Sequence, residues 1–161
     1  MRLLLLLLLV GCAEAPRPYF QWDLPAHPHA VLFDGTIDQG WTQMVEAARA
    51  EWSTPLVEMG CEDPFRDGVE YDVTLIPDAD WTRPDAIGDT ERDSMTIKGT
   101  TAELIANMAY QTLLPHELGH AIGLSHVLVE VDPDSIMHEI PDKTSPDDRD
   151  LLMAAAKIGC R

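Results

Sequence analysis

The chain is poor in basic residues. Its 161 residues hold 11 Lys and Arg against 28 Asp and Glu, a formal net charge of −17. Phosphate backbones are bound through clustered Lys and Arg, so this balance excludes nucleic acid as a natural partner. Long apolar runs are lacking too. The stretch Leu3 to Val10 is unbroken for eight residues, well short of the ~20 that a membrane-spanning helix needs. Cysteine is scarce, with three in the whole chain. There is no internal repeat, and no low-complexity segment beyond that leucine run. The rest is ordinary: 45% apolar and 24% charged residues describe a chain able to bury a core rather than a disordered tail. At roughly 100 to 200 residues per domain, the length admits a single domain.

The N-terminus reads as an address. Met1-Arg2, the apolar run and Gly11-Cys12 form the pattern of a removable signal over residues 1–11. The junction Leu9-Val10-Gly11-Cys12 resembles a bacterial lipobox, which implies cleavage before Cys12 and a lipid on that residue as a membrane anchor. With or without lipid, the domain is expected outside the cytoplasm. Residues 12–28 carry Pro16, Pro18, Pro25 and Pro28 and read as an extended tether, leaving 29–161 as the folded domain. With Cys12 set aside, Cys61 and Cys160 are an even pair in an oxidising compartment: a disulfide, or two buried thiols. A bridge would close a long loop and contribute about 2 to 4 kcal/mol.

Along the domain, Trp41, Met44, Val45, Ala48 and Trp52 form one apolar stripe of a helix over 38–52, ending at or shortly after Thr54-Pro55. Both tryptophans belong to the core in this pattern. Val69, Tyr71, Val73 and Leu75 alternate with polar residues, a half-buried strand stopping at Pro77. Residues 77–93, rich in Asp, Pro and Gly, read as a loop. Ser94–Lys98 suits a short strand. The stretch 102–124 is helical in composition but contains Pro115, which predicts two helical pieces with Pro115 in the first turn of the second. Ser145-Pro146-Asp147-Asp148 reads as N-cap, first-turn proline and helix-start acids of a C-terminal helix. The elements together give an α+β chain.

The chemistry lies in His116-Glu117-Leu118-Gly119-His120-Ala121-Ile122-Gly123-Leu124-Ser125-His126. Histidines four apart on a helix project from one face and can share one Zn²⁺. Gly123 tolerates the left-handed turn that stops the helix and lets His126 come round as third ligand. Three protein ligands leave a fourth position for water or substrate, the arrangement of a catalytic rather than a closed structural zinc. Glu117 lies beside them as proton acceptor for a water that zinc acidifies. In a shuffled chain of this composition, three His, one Glu and one Gly so placed recur with probability on the order of 10⁻⁵ to 10⁻⁴.

These residues match the metzincin signature H-E-x-x-H-x-x-G-x-x-H, and the downstream Ser135-Ile136-Met137 resembles the Met-turn of matrixins. The resemblance is specific over 116–137 and weaker to Arg161. It implies a mixed twisted sheet with an active-site helix, a Met-turn and a C-terminal helix, with Met137 as an apolar base under the metal and not a ligand. It further implies a zinc endopeptidase with His116, His120 and His126 as ligands, Glu117 as catalytic base, and a protein or peptide substrate aligned along Ser94–Lys98 as the sheet edge. A monomer is expected. Two alternatives keep the same residues: a lipid-anchored zinc-binding protein without catalysis, and a zinc hydrolase of non-peptide amides. Val127 stands where matrixins have Ser, astacins Glu and adamalysins Asp, so the subfamily stays open. His138 is taken as an exposed imidazole, with a wall of the substrate pocket as the alternative. Beyond these, His27 and His29 are the remaining histidines, too few to support a second, structural zinc. Asp78, Asp80, Asp85, Asp89 and Asp93 offer oxygen ligands for Ca²⁺ without a spaced calcium loop, and read better as a solvated acidic loop.

Overall fold

The computed structural model describes residues 24–84, 86–91 and 94–160. The expected signal, Cys12 and the tether up to residue 23 lie outside them, as do Asp85 and Asp93. Strand β1 (Ala26–Leu32) leads to helix α1 (Gln39–Glu58), then β2 (Arg66–Ile76), a 3-10 turn at Asp78–Asp80, β3 (Gly88–Thr90), β4 (Ser94–Lys98), α2 (Thr101–Asn107), α3 (Tyr110–Ile122) and α4 (Asp148–Ile158). The strands form one mixed sheet in the order β1-β2-β4-β3, parallel except for the antiparallel β3. The chain is α+β.

Period two along the strands sends Ala30, Tyr71, Val73, Leu75, Met95 and Ile97 into the core. There they meet the stripe of α1, with Trp41, Val45 and Trp52 almost fully buried. A buried indole N–H needs an acceptor. Trp41 Nε1 donates to the Val73 carbonyl at 2.9 Å and Trp52 Nε1 to the Pro115 carbonyl at 2.7 Å, so the two tryptophans tie α1 to the sheet and to α3.

Several boundaries differ from the sequence-based expectation. Helix α1 continues through Pro55 to Glu58: the bond lost to the Glu51 carbonyl falls on an exposed turn where water can replace it, while Leu56 beyond it is buried. Strand β1 starts at Ala26 and contains Pro28, so the last three residues of the expected tether pair with β2. The segment 77–93 is not wholly loop, because β3 lies within it, and β4 is therefore an interior strand with β3 as the edge. The helical stretch does break in two, but at Met108, which takes a left-handed φ of 51°. Pro115 consequently sits inside α3 rather than in its first turn. In α4 the N-cap is Asp147 and not Ser145, because the Asp147 and Asp150 carboxylates each accept the other's backbone N–H.

Both cysteines follow a helix-ending glycine in left-handed conformation: Gly60 at φ 88° and Gly159 at φ 76°. Cys61 and Cys160 are joined in a disulfide with their Cα atoms 4.9 Å apart, closing a separation of 99 residues. The bridge fastens the end of α4 to the end of α1.

Candidate metal centre

Helix α3 presents His116, Glu117 and His120 and stops at Gly123, whose φ is 99°. Gly123 N–H donates to the His120 carbonyl at 2.8 Å and Leu124 N–H to the Gly119 carbonyl at 3.0 Å, the paired bonds that close a helix through a left-handed residue. The reversed chain then brings His126 to the other two histidines. The ligand-type atoms of the three lie within 4.8 Å of one another.

The hydrogen bonds decide what these imidazoles offer. His116 Nδ1 lies 2.8 Å from the Ile136 carbonyl and His120 Nδ1 2.9 Å from the Leu124 carbonyl. A carbonyl only accepts, so both Nδ1 atoms carry the proton and both Nε2 atoms present lone pairs. Those Nε2 atoms are 3.1 Å apart, and His126 Nε2 is 3.1 Å from that of His120. The lone pairs of His116 and His120 at this range repel unless a cation lies between them. Bonds of about 2.0 to 2.1 Å at a tetrahedral centre would set ligand nitrogens about 3.3 Å apart. The donor set therefore fits one metal ion, with backbone carbonyls orienting two of the rings from behind. Burial lowers the pKa of His116 to about 4, against the opposing pull of the Ile136 carbonyl, and it also lowers that of His126. Both shifts favour the neutral imidazole, the form a metal requires.

Met137 is fully buried. A Cβ on Gly119 would come within 2.4 Å of Met137 Sδ and 2.9 Å of Trp52, so this glycine is what lets the methionine lie against α3 between the two helical ligands. The turn bearing Met137 is fixed from α4. Asp150, fully buried, accepts from Ser135 Oγ at 2.6 Å and from Ile136 N–H at 2.8 Å. Ile136 thus gives its N–H to α4 and its carbonyl to His116. Val127 N–H donates to the Met137 carbonyl at 2.8 Å, which binds the turn to the segment after the third histidine.

Glu117 is buried on the other flank of α3. Thr90 Oγ1 on β3 donates to its Oε2 at 2.6 Å. A Cβ on Gly88 would fall 2.4 Å from its Oε1. Burial raises the Glu117 pKa, the Thr90 hydroxyl opposes that shift, and Asp89 adds to it. The Tyr71 hydroxyl is also buried, without a hydrogen-bond partner among the described residues, and its pKa is pushed up first by burial and then by the Glu117 charge.

His116, His120 and His126 thus come together, Gly123 ends α3 in left-handed conformation, Glu117 is buried against β3 and Met137 is buried against Gly119 of α3. His138 does not follow expectation. It is buried, with Nε2 2.7 Å from the Asp132 carbonyl and Nδ1 3.2 Å from Asp142 Oδ1. The Asp132 carbonyl and the Asp142 carboxylate raise its pKa. In the acidic segment, Asp78 pairs with Lys98 and Asp89 with Arg83. Thr90, Gly88, Gly119 and Asp150 belong to the site without any mark in the sequence. A three-residue strand is too short to show alternation, and Asp150 looks like any acid in a first helical turn. Comparison with family models, curated proteins and solved structures finds no match to this chain.

Proposed function

We propose that the chain is a zinc-dependent endopeptidase with a metzincin-like fold, acting on protein or peptide substrates. The observation that carries this reading is Glu117, a buried acid directly following the first ligand and held by the sheet edge at Thr90. Metal binding alone has no use for it. The three imidazoles suit zinc and leave a position open for substrate or water. Zinc held there would supply Lewis acidity toward a scissile carbonyl and toward water. Glu117 takes the proton of the attacking water and returns it to the leaving amine. Edge strand β3, beside Glu117, offers unpaired backbone groups along which an extended peptide can be added. The disulfide between Cys61 and Cys160 suits the oxidising, extracytoplasmic setting that the N-terminal signal implies.

Elemental analysis combined with digestion of a broad peptide library tests the proposal. The expected result is one zinc per chain and internal cleavage that a chelator abolishes and zinc restores. Stoichiometric zinc with no peptide cleaved would overturn the peptidase assignment, and failure to bind zinc would overturn the metal centre itself.

A further inference from the structure

The acid on α3 and the edge strand β3 meet through an asymmetric grip. Gly88 and Thr90 are two apart on β3, so they address the same side of the sheet. Thr90 Oγ1 lies 2.6 Å from Glu117 Oε2 and 3.3 Å from the Glu117 carbonyl. A hydroxyl has one proton to give, and the shorter contact to a carboxylate is the stronger acceptor. The other carboxylate oxygen faces the bare backbone of Gly88, where any Cβ would lie 2.4 Å from it. One oxygen is therefore tied by the hydroxyl and the other lies where a side chain at position 88 would collide with it.

We propose that Thr90 is a positioning residue for Glu117: its hydroxyl fixes Oε2 against β3, and the bare backbone of Gly88 leaves the room in which Oε1 lies against the same strand. The inference rests on the peptidase reading for its catalytic consequence, but the contact itself does not depend on it. It also makes the strand that aligns the substrate the strand that aims the base. A peptide added to β3 stiffens the segment that carries Thr90, so alignment of the substrate and aiming of Glu117 become a single event.

Thr90→Val keeps the shape and removes the hydroxyl, whereas Thr90→Ser keeps the hydroxyl and removes the methyl. Both are compared with wild type as zinc-loaded protein. Loss of a hydrogen bond to a charged group predicts a fall in kcat of about 10- to 100-fold for the valine variant, with KM within about twofold and zinc content unchanged. The serine variant should recover most of the rate. An unchanged kcat in Thr90→Val, a serine variant no better than valine, or a loss confined to KM would overturn the inference. A second measurement is independent of turnover. The shift in unfolding midpoint caused by Thr90→Val is determined in the wild-type and Glu117→Ala backgrounds. A smaller shift in the Glu117→Ala background upholds the grip even if wild type cleaves no peptide, the result that would sink the peptidase reading alone. Equal shifts in both backgrounds overturn it.

Discussion

Five of the six histidines stand in two contrasting settings. On β1, His27 Nε2 lies 3.6 Å from Glu46, and His29 Nδ1 lies 3.5 Å from Asp72 and 3.9 Å from Glu70. Each ring there meets carboxylates, and no two rings face one another. Around α3 the rings meet each other instead, and two of the three have Nδ1 tied to a backbone carbonyl. A histidine becomes a metal ligand when its neighbours leave its lone pair facing other lone pairs. On β1 the ring nitrogens face carboxylates instead. The difference lies in what each outer nitrogen meets: His27 Nδ1 also lies 3.1 Å from a backbone carbonyl, that of Pro28, but its Nε2 faces Glu46, whereas the Gly123 turn and the 135–137 turn hold His116 and His120 with their Nε2 atoms toward each other.

Removing one ring from each setting should separate them most sharply. His120→Ala is expected to lose zinc on dialysis together with all cleavage, while His29→Ala keeps both, as elemental analysis of the two purified variants would reveal. Comparable zinc loss in both would erase the distinction. Next in size is the support behind the α3 group. Asp150→Ala leaves Ser135 Oγ and the Ile136 N–H buried without their acceptor, a cost of roughly 2 to 5 kcal/mol in chemical denaturation. The loosened Ile136 carbonyl should also weaken zinc binding about 10- to 100-fold in chelator competition. Cys61→Ser with Cys160→Ser frees the end of α4 and should cost about 2 to 4 kcal/mol by the same assay.

The smallest effect is one of pH in metal-free protein. Burial holds the His116 pKa near 4 in the folded chain against 6.5 as its ordinary value. Between those values the unfolded chain binds more protons, so stability falls as pH drops from about 6.5 to about 4, by roughly 1 to 3 kcal/mol. His138, with its pKa raised, acts in the opposite sense in a different window. Its contribution is complete below the ordinary histidine pKa and is lost as pH rises through the folded value. Denaturation midpoints across pH should show a decline on the acid side that His116→Asn flattens, whereas His138→Gln should alter only the slope above about 6.5.

What could be read from the sequence was what a local rule determines. Histidines four apart with a glycine three residues later fix a helix face and its stop, and the stripe from Trp41 to Trp52 fixes the buried side of α1. The parts that stayed hidden depend on distant partners. β1 contains Pro28 and two histidines and becomes a strand only because β2 lies parallel to it. β3 owes its existence to β4, and its Gly88 and Thr90 gain their role only when α3 brings Glu117 against them. Pro115 lies buried within α3, and its carbonyl accepts from Trp52, a residue 63 positions away that the local pattern could not reveal. Asp147 displaces Ser145 as the cap because Asp150 both completes the capping box and reaches the 135–137 turn. The α+β class and the metal-capable triad were therefore legible, while the supports around the triad were not.

On the proposed function, Glu117 is the residue that turns a metal site into a peptidase. The most direct test of this role sets wild type beside Glu117→Gln, each assayed for zinc content and for cleavage of the same peptide library. The expected result is equal zinc, one per chain, with cleavage by wild type and a loss of at least about 10³-fold in the variant. Undiminished cleavage by Glu117→Gln at full zinc occupancy would contradict it.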